Sequence, residues 1–388
     1  MLWLFTAMSS IVHFEPAPAD ILGVIMIVAF FGLGLRIPIR IGSAGLLVGL
    51  FLLANILSSM LAPDPTASFK SLSVRFYLFL SWLLLTCLIY ENPARVLRVL
   101  WSGYTIAAVI AVTMGILGYY RLVPFHDQLT EFGRVRALFK DPNVYGPFLV
   151  PVVLHLIASL EPASKRIKFY LTGIIIAFIV FGILIGFSRG SWLNLAISLF
   201  LFVIFSVMTQ TSAGRKRRVL MQAGGGLVFI MLFVGWAIST QGIQDMIEAR
   251  TKLQAYDLKE GTGRFSIQKQ VLNKSFVTPL GIGAGQSEEK YNFGKAPHNV
   301  YLHVLIESGW VGAAAFYGFL LLTLWKSYQY VYQRSSIQSY YIATFACVVG
   351  CLAQSFFIDS THWRHFYLLL AMLWGPLLAW QSHPERSE

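Results

Sequence analysis

The chain has 388 residues, of which 56% are hydrophobic and only 12% charged, and its mean hydropathy is +0.64. Soluble domains average roughly 45–50% apolar and 25% charged residues, so an ordinary soluble fold is excluded. The net charge of +12 comes from Lys and Arg placed mainly between apolar runs, where membrane orientation and anionic lipid account for it and nucleic acid does not.

In chain order the apolar runs cover residues 1–14, 21–35, 41–62, 71–90, 97–119, 143–160, 168–187, 191–209, 219–240, 299–325, 340–358 and 366–381. Most have the 17 to 25 or so residues that a helix needs to cross a hydrocarbon core of about 30 Å. No alternating pattern of barrel type is present. The expected fold is all-α, a polytopic membrane protein of about twelve transmembrane helices with one long outer loop. The first run, Met1 to Phe14, is read as a retained first helix, because it has no charged start and no A-x-A cleavage site, and its shortness leaves it either a span or interfacial. Cys87, Cys347 and Cys351 lie inside apolar runs without zinc spacing and read as small core residues.

A cytoplasmic amino terminus puts the basic clusters on the inside: Arg36 and Arg40, Arg95 and Arg98, Lys165 to Lys168, Arg215 to Arg218, and Lys326 with Arg334. Both termini are then cytoplasmic. Four outer connections nonetheless hold basic residues, at 121–143, 188–191, 241–297 and 359–365. Translocated cations oppose the insertion rule, and the simplest use for them is an electropositive outer site for a diphosphate or an acidic glycan. Ordinary solvated loops are the alternative. The long connection at 241–297 joins a charged, helix-like stretch, Gln244 to Glu260, to a Gly-broken segment, and its apolar content favours an ordered cap over a linker. Three regions result: amino-terminal helices at 1–130, a catalytic membrane region at 131–325, and carboxy-terminal helices at 326–388.

Within the middle region His298-Asn299 stands before an apolar run, with Gly309 and Gly312 at HN-x9-G-x2-G spacing. Three other segments precede it: LFKDPNVYGPFL (Leu138 to Leu149), FSRGSWL (Phe187 to Leu193), and GRFSIQKQVL leading into PLGIGAGQS (Gly263 to Ser287). In this order the four resemble the O-antigen ligase and polymerase superfamily, over roughly residues 130–325. That resemblance implies a GT-C-like membrane glycosyltransferase of the bacterial inner membrane, with its site facing the periplasm. It further implies an undecaprenyl-diphosphate-linked glycan donor, a glycan or lipid A-core acceptor, no cofactor and no metal. By resemblance Arg189 and Arg264 contact the diphosphate and His298 is the general base.

The chemistry agrees with those assignments on independent grounds. Guanidinium groups are planar and permanently charged, which suits a leaving diphosphate. Imidazole has the side-chain pKa nearest neutrality, which suits deprotonation of an acceptor hydroxyl. A snorkelling anchor is the alternative for Arg189. Asn299 either orients the sugar or caps the following helix. Glu307 either pairs with a cation in the bundle or contributes to the site, and His303, on another face, reads as a residue that packs or supports the site from behind. Arg136 and Lys140 are candidates for the outer cavity, and Arg364 is either a third anion contact or an interface anchor. Gly281, Gly283 and Gly285 form an anion-binding nest or a tight turn, with the turn preferred. Gly309 and Gly312 read as close-packing positions.

No DxD element occurs and the outer acids lack metal-ligand spacing, so arginines are expected to do the work of a divalent cation. The expected reaction is inverting transfer of ligase type. A polymerase joining lipid-linked repeat units is the alternative within the family. A secondary transporter is the alternative outside it, although two similar halves are not evident.

Overall fold

Three helices begin at an Asx-Pro pair, and the reason is local. Pro at the first helical position has its φ already set and lacks an N–H that would otherwise go unpaired, while the preceding Asx side chain accepts from a first-turn amide. Asp64 accepts from the Ala67 amide at 3.1 Å, Asn92 from Arg95 at 3.2 Å and Asp141 from Asn143 at 2.7 Å. They open α4 (Pro65–Glu91), α5 (Pro93–Tyr119) and α7 (Pro142–Ala158).

The computed structural model describes residues 1–34, 36–160, 166–239, 244, 263–287 and 297–382. The other helices of the amino-terminal half are α1 (Leu2–Ala7), α2 (Pro18–Gly32), α3 (Gly42–Met60) and the four-residue α6 (His126–Leu129). After α7 come α8 (Arg166–Ile185), α9 (Arg189–Met208), α10 (Ala213–Ile238), α11 (Arg264–Phe276), α12 (Val300–Val331), α13 (Gln338–Gln354) and α14 (Arg364–Ser382). Among the described residues the β-structure is one two-residue antiparallel ladder pairing Thr130 with Val135.

Each of the twelve apolar runs contains a helix, and among the described residues six helical segments are long and apolar enough to cross a membrane: Ile39–Met60, Pro65–Glu91, Pro93–Tyr119, Arg166–Ile185, Arg189–Met208 and Val300–Val331. The protein is therefore an all-α polytopic membrane protein. The first run falls short of a span, as its length allowed. Its helix has six residues, a length of about 9 Å at 1.5 Å per residue, which cannot span a bilayer. Of the expected long loop, the charged stretch 244–260 lies outside the described residues apart from Gln244.

The helices pair along their lengths: α12 with α3, α14 with α4, α13 with α9, and α1 with α5. Between them α7 packs on α8, α9 and α13. The buried side chains form one large apolar cluster running through these layers, with Trp82, Trp374, Tyr104 and Phe319 among its fully buried members.

One helix departs from regular geometry in a way that matters for the site. α12 runs for 32 residues but is broken at Gly309, where φ is 68° and ψ is −172°. The break leaves the carbonyls of Ile306 and Glu307 outside the helical ladder. They accept instead from the backbone amides of Ile282 at 2.9 Å and Gly283 at 3.1 Å, and Trp310 donates its amide to the Pro279 carbonyl at 2.9 Å. Gly281, with φ of 80°, faces Gly309 across this junction. PLGIGAG is thus a tight turn laid into the broken helix, as the turn reading expects. A Cβ on Gly309 would be driven into the Pro279 carbonyl oxygen, in a backbone conformation that L side chains rarely adopt. Gly309→Ala is expected to destabilise the protein by about 2–4 kcal/mol, combining positive-φ strain with overpacking. Thermal unfolding of the detergent-solubilised variant measures this, and an unchanged midpoint would contradict the docked-turn geometry.

Candidate functional site

The four sequence segments converge. Asn143, in the first turn of α7, accepts from Arg134 Nη2 at 2.7 Å and from Ser188 Oγ at 3.2 Å, and Arg134 Nε donates to the Gly186 carbonyl at 3.3 Å. These bonds fix the DPN segment against FSRG. The helices then run in close contact, because a Cβ on Gly146 of α7 would overlap Ser191 of α9.

FSRG and the His-Asn element meet at the end of α13. A Cβ on Gly190 would lie 3.0 Å from Gln354 Nε2, and the next residue, Ser355, accepts the Val300 amide at 2.9 Å. Arg189 and His298-Asn299 therefore flank the same two residues, Gln354 and Ser355. The third segment joins from the other side, where Gln268 Nε2 donates to the Pro297 carbonyl at 3.2 Å and Trp310 Nε1 donates to the Ser275 carbonyl at 2.9 Å. Arg264, four residues before Gln268, lies one turn away on the same face of α11.

Local geometry at these positions is unusual. His298 has φ of 46° and Phe187, two residues before Arg189, has φ of 45°. Such left-handed conformations are uncommon for non-glycine residues and cluster at functional sites. Arg189 opens α9 and is exposed, whereas Arg264 opens α11, is half-buried and has its Nε removed from solvent. His298 is half-buried. Asn299 caps α12, its side-chain oxygen accepting from the Leu302 amide at 3.1 Å.

The remaining candidates have protein partners. Arg364 makes a bidentate pair with Asp20, both contacts at 2.6 Å. Lys140 pairs with Glu15 at 2.5 Å. Arg364 and Lys140 line a cavity of about 220 Å³ together with Asp141, Asp359 and His362. Arg136 Nε donates to the Gln128 carbonyl at 3.1 Å on an exposed surface.

Glu307 is the centre of a buried charge chain that sequence reasoning did not assemble. Its carboxylate contacts the Arg75 guanidinium, accepts from Ser287 Oγ at 2.9 Å and lies 2.9 Å from His303 Nε2. His303 Nδ1 lies 2.9 Å from Asp359, whose other oxygen accepts from Thr361 Oγ1 at 2.7 Å and from the Thr361 amide at 2.8 Å. Arg75 also donates to Asn55. Burial opposes charge on Asp359, but the adjoining His303, His362 and the Thr361 amide hold its carboxyl well below the usual carboxylate range. Burial pushes the His362 imidazole below its ordinary value, with Asp359 opposing the shift. Arg75 was findable from sequence, since an ionisable residue inside an apolar run is a functional candidate by default.

Residues 174–317 match the family model for O-antigen ligase, so this part of the chain is similar to that family. No curated protein matches the chain.

Proposed function

We propose that the chain transfers a glycan from an undecaprenyl-diphosphate carrier to an acceptor hydroxyl at the periplasmic face of the inner membrane, in the manner of an O-antigen ligase. The observation that carries this reading is the meeting of Arg189, Arg264 and His298 segments around the end of α13 and the start of α12. Arg189 and Arg264 hold and neutralise the leaving diphosphate. His298 takes the proton of the acceptor hydroxyl as its oxygen bonds to the anomeric carbon and the bond to the diphosphate oxygen breaks. Attack from the side opposite the diphosphate inverts that centre, and the reading needs no metal. With the basic clusters inside and α1 too short to cross, the carboxy terminus is cytoplasmic, and 131–325 is the catalytic region.

Arg189→Ala and Arg264→Ala are each expected to reduce transfer about 10²-fold, by analogy with the loss of one preorganised donor to developing charge. Lys at either position is expected to recover only part of the rate, because an ammonium group lacks the planar fork. Initial-rate kinetics with purified lipid-linked donor measure this; unaltered rates would remove both arginines from the site.

Ligase and polymerase share this leaving group and base. The ligase reading is favoured because the single long connection runs directly into the His298 element. Incubation with lipid-linked repeat units alone separates the two: inert substrate until a lipid A-core acceptor is added indicates a ligase, and elongation without it indicates a polymerase.

A further inference from the structure

The break at Gly309 cuts residues 300–308 off from the rest of α12, so this nine-residue segment does not inherit its direction from the long helix behind it. Its first residue follows the His298-Asn299 pair, and any tilt of the segment moves His298. Something other than the helical ladder must therefore fix its orientation.

The segment is held at both ends. At its start the Val300 amide is bonded to Ser355, and one turn later His303 is paired with Asp359 of the same 355–363 connection. At its end the Glu307 carboxylate is gripped by Arg75 of α4 and Ser287 of the glycine turn, while His303 bridges the two ends by contacting Glu307 as well. Arg75 is in turn fixed by Asn55 of α3. Arg75 is 1% exposed and Glu307 fully buried, so two charges have been taken out of solvent to make this contact. A buried ion pair is a poor source of stability, since apolar residues of similar volume often do as well or better. Fixing one geometry among several is the role in which such pairs are best attested.

We infer that Arg75 and Glu307 are positioning residues for the transfer reaction: through His303 and Asp359 they set the direction of the 300–308 segment and thereby the place of His298 relative to the donor. This inference rests on the reading of His298 as the general base. Neither Arg75 nor Glu307 touches substrate in this account. Their effect is on kcat, because a base displaced by about 1 Å from its reactive position costs on the order of 10²-fold in rate while substrate binding is unaffected.

The test compares purified full-length wild type, Arg75→Met with Glu307→Leu together, and His298→Ala, measuring thermal unfolding in detergent and kcat and KM with lipid-linked donor. The paired apolar variant is expected to unfold at or above the wild-type temperature, keep the wild-type donor KM and lose about 10²-fold in kcat. A stable paired variant with wild-type kcat overturns the positioning role while leaving the His298 reading intact. Should the paired variant fold poorly, Arg75→Lys, which keeps the buried positive charge but not the planar fork that also reaches Asn55, replaces it: a fall in kcat with unchanged donor KM supports the inference, and wild-type kcat overturns it. Transfer retained by His298→Ala would instead sink the underlying reading.

Discussion

Replacing His298 with Ala is expected to lower kcat for glycan transfer by about 10²–10⁴-fold, the usual contribution of a positioned general base, with the thermal unfolding midpoint close to that of the wild type. Three contacts that set the start of α12 are made by the neighbours of His298: Asn299 supplies the cap, Pro297 accepts from Gln268, and Val300 bonds to Ser355. None of these needs the imidazole. Ala retains a Cβ, so the backbone at φ of 46° carries similar strain in both proteins. The loss should therefore appear in kcat with little change in donor KM, because the proposed diphosphate contacts, Arg189 and Arg264, come from other elements. A variant that transfers glycan at the wild-type rate would remove His298 from the chemistry.

Arg75→Met alone is expected to have the largest effect on stability, about 3–5 kcal/mol. The substitution leaves the Glu307 carboxylate buried with His303 and Ser287 but without its guanidinium, and it leaves Asn55 without its partner on α4. Uncompensated buried charge is far costlier than a buried pair replaced as a whole. The midpoint of thermal unfolding in detergent should fall sharply for Arg75→Met and recover when Glu307→Leu is added. An unchanged midpoint for the single variant would mean that Glu307 finds solvent or another cation.

Much of the fold was legible because crossing a bilayer imposes a length and a composition that residues 42–60, 65–91 or 189–208 display openly. Segment order was equally readable, since the four motifs stand in sequence. What sequence could not convey was pairing at a distance. Arg364 and Lys140 read as spare outer cations, and their partners Asp20 and Glu15 lie 344 and 125 residues away. The contact between Arg75 and Glu307 joins positions 232 apart. Hydropathy is also blind to the break at Gly309, because the 300–331 run averages as apolar across it despite Glu307 and Ser308, and glycine inside a membrane helix usually signals close packing. Only the complementary turn at Pro279 to Gly283 shows why the helix opens there. The first run was legible only in part: apolar composition continues through Ile11 and Val12, but the helix stops at Ala7 and the chain turns through Ser9.

The central claim is that a glycan leaves a lipid diphosphate and becomes bonded to an acceptor. Purified protein reconstituted in liposomes with undecaprenyl-diphosphate-linked glycan and a lipid A-core acceptor tests it most directly, by mass spectrometry of the lipid products. The account predicts free undecaprenyl diphosphate in equal amount to a newly glycosylated acceptor, with the linkage inverted at the anomeric carbon and no product from His298→Ala. Intact donor after incubation, or donor moved across the bilayer with no new glycosidic bond, would contradict it.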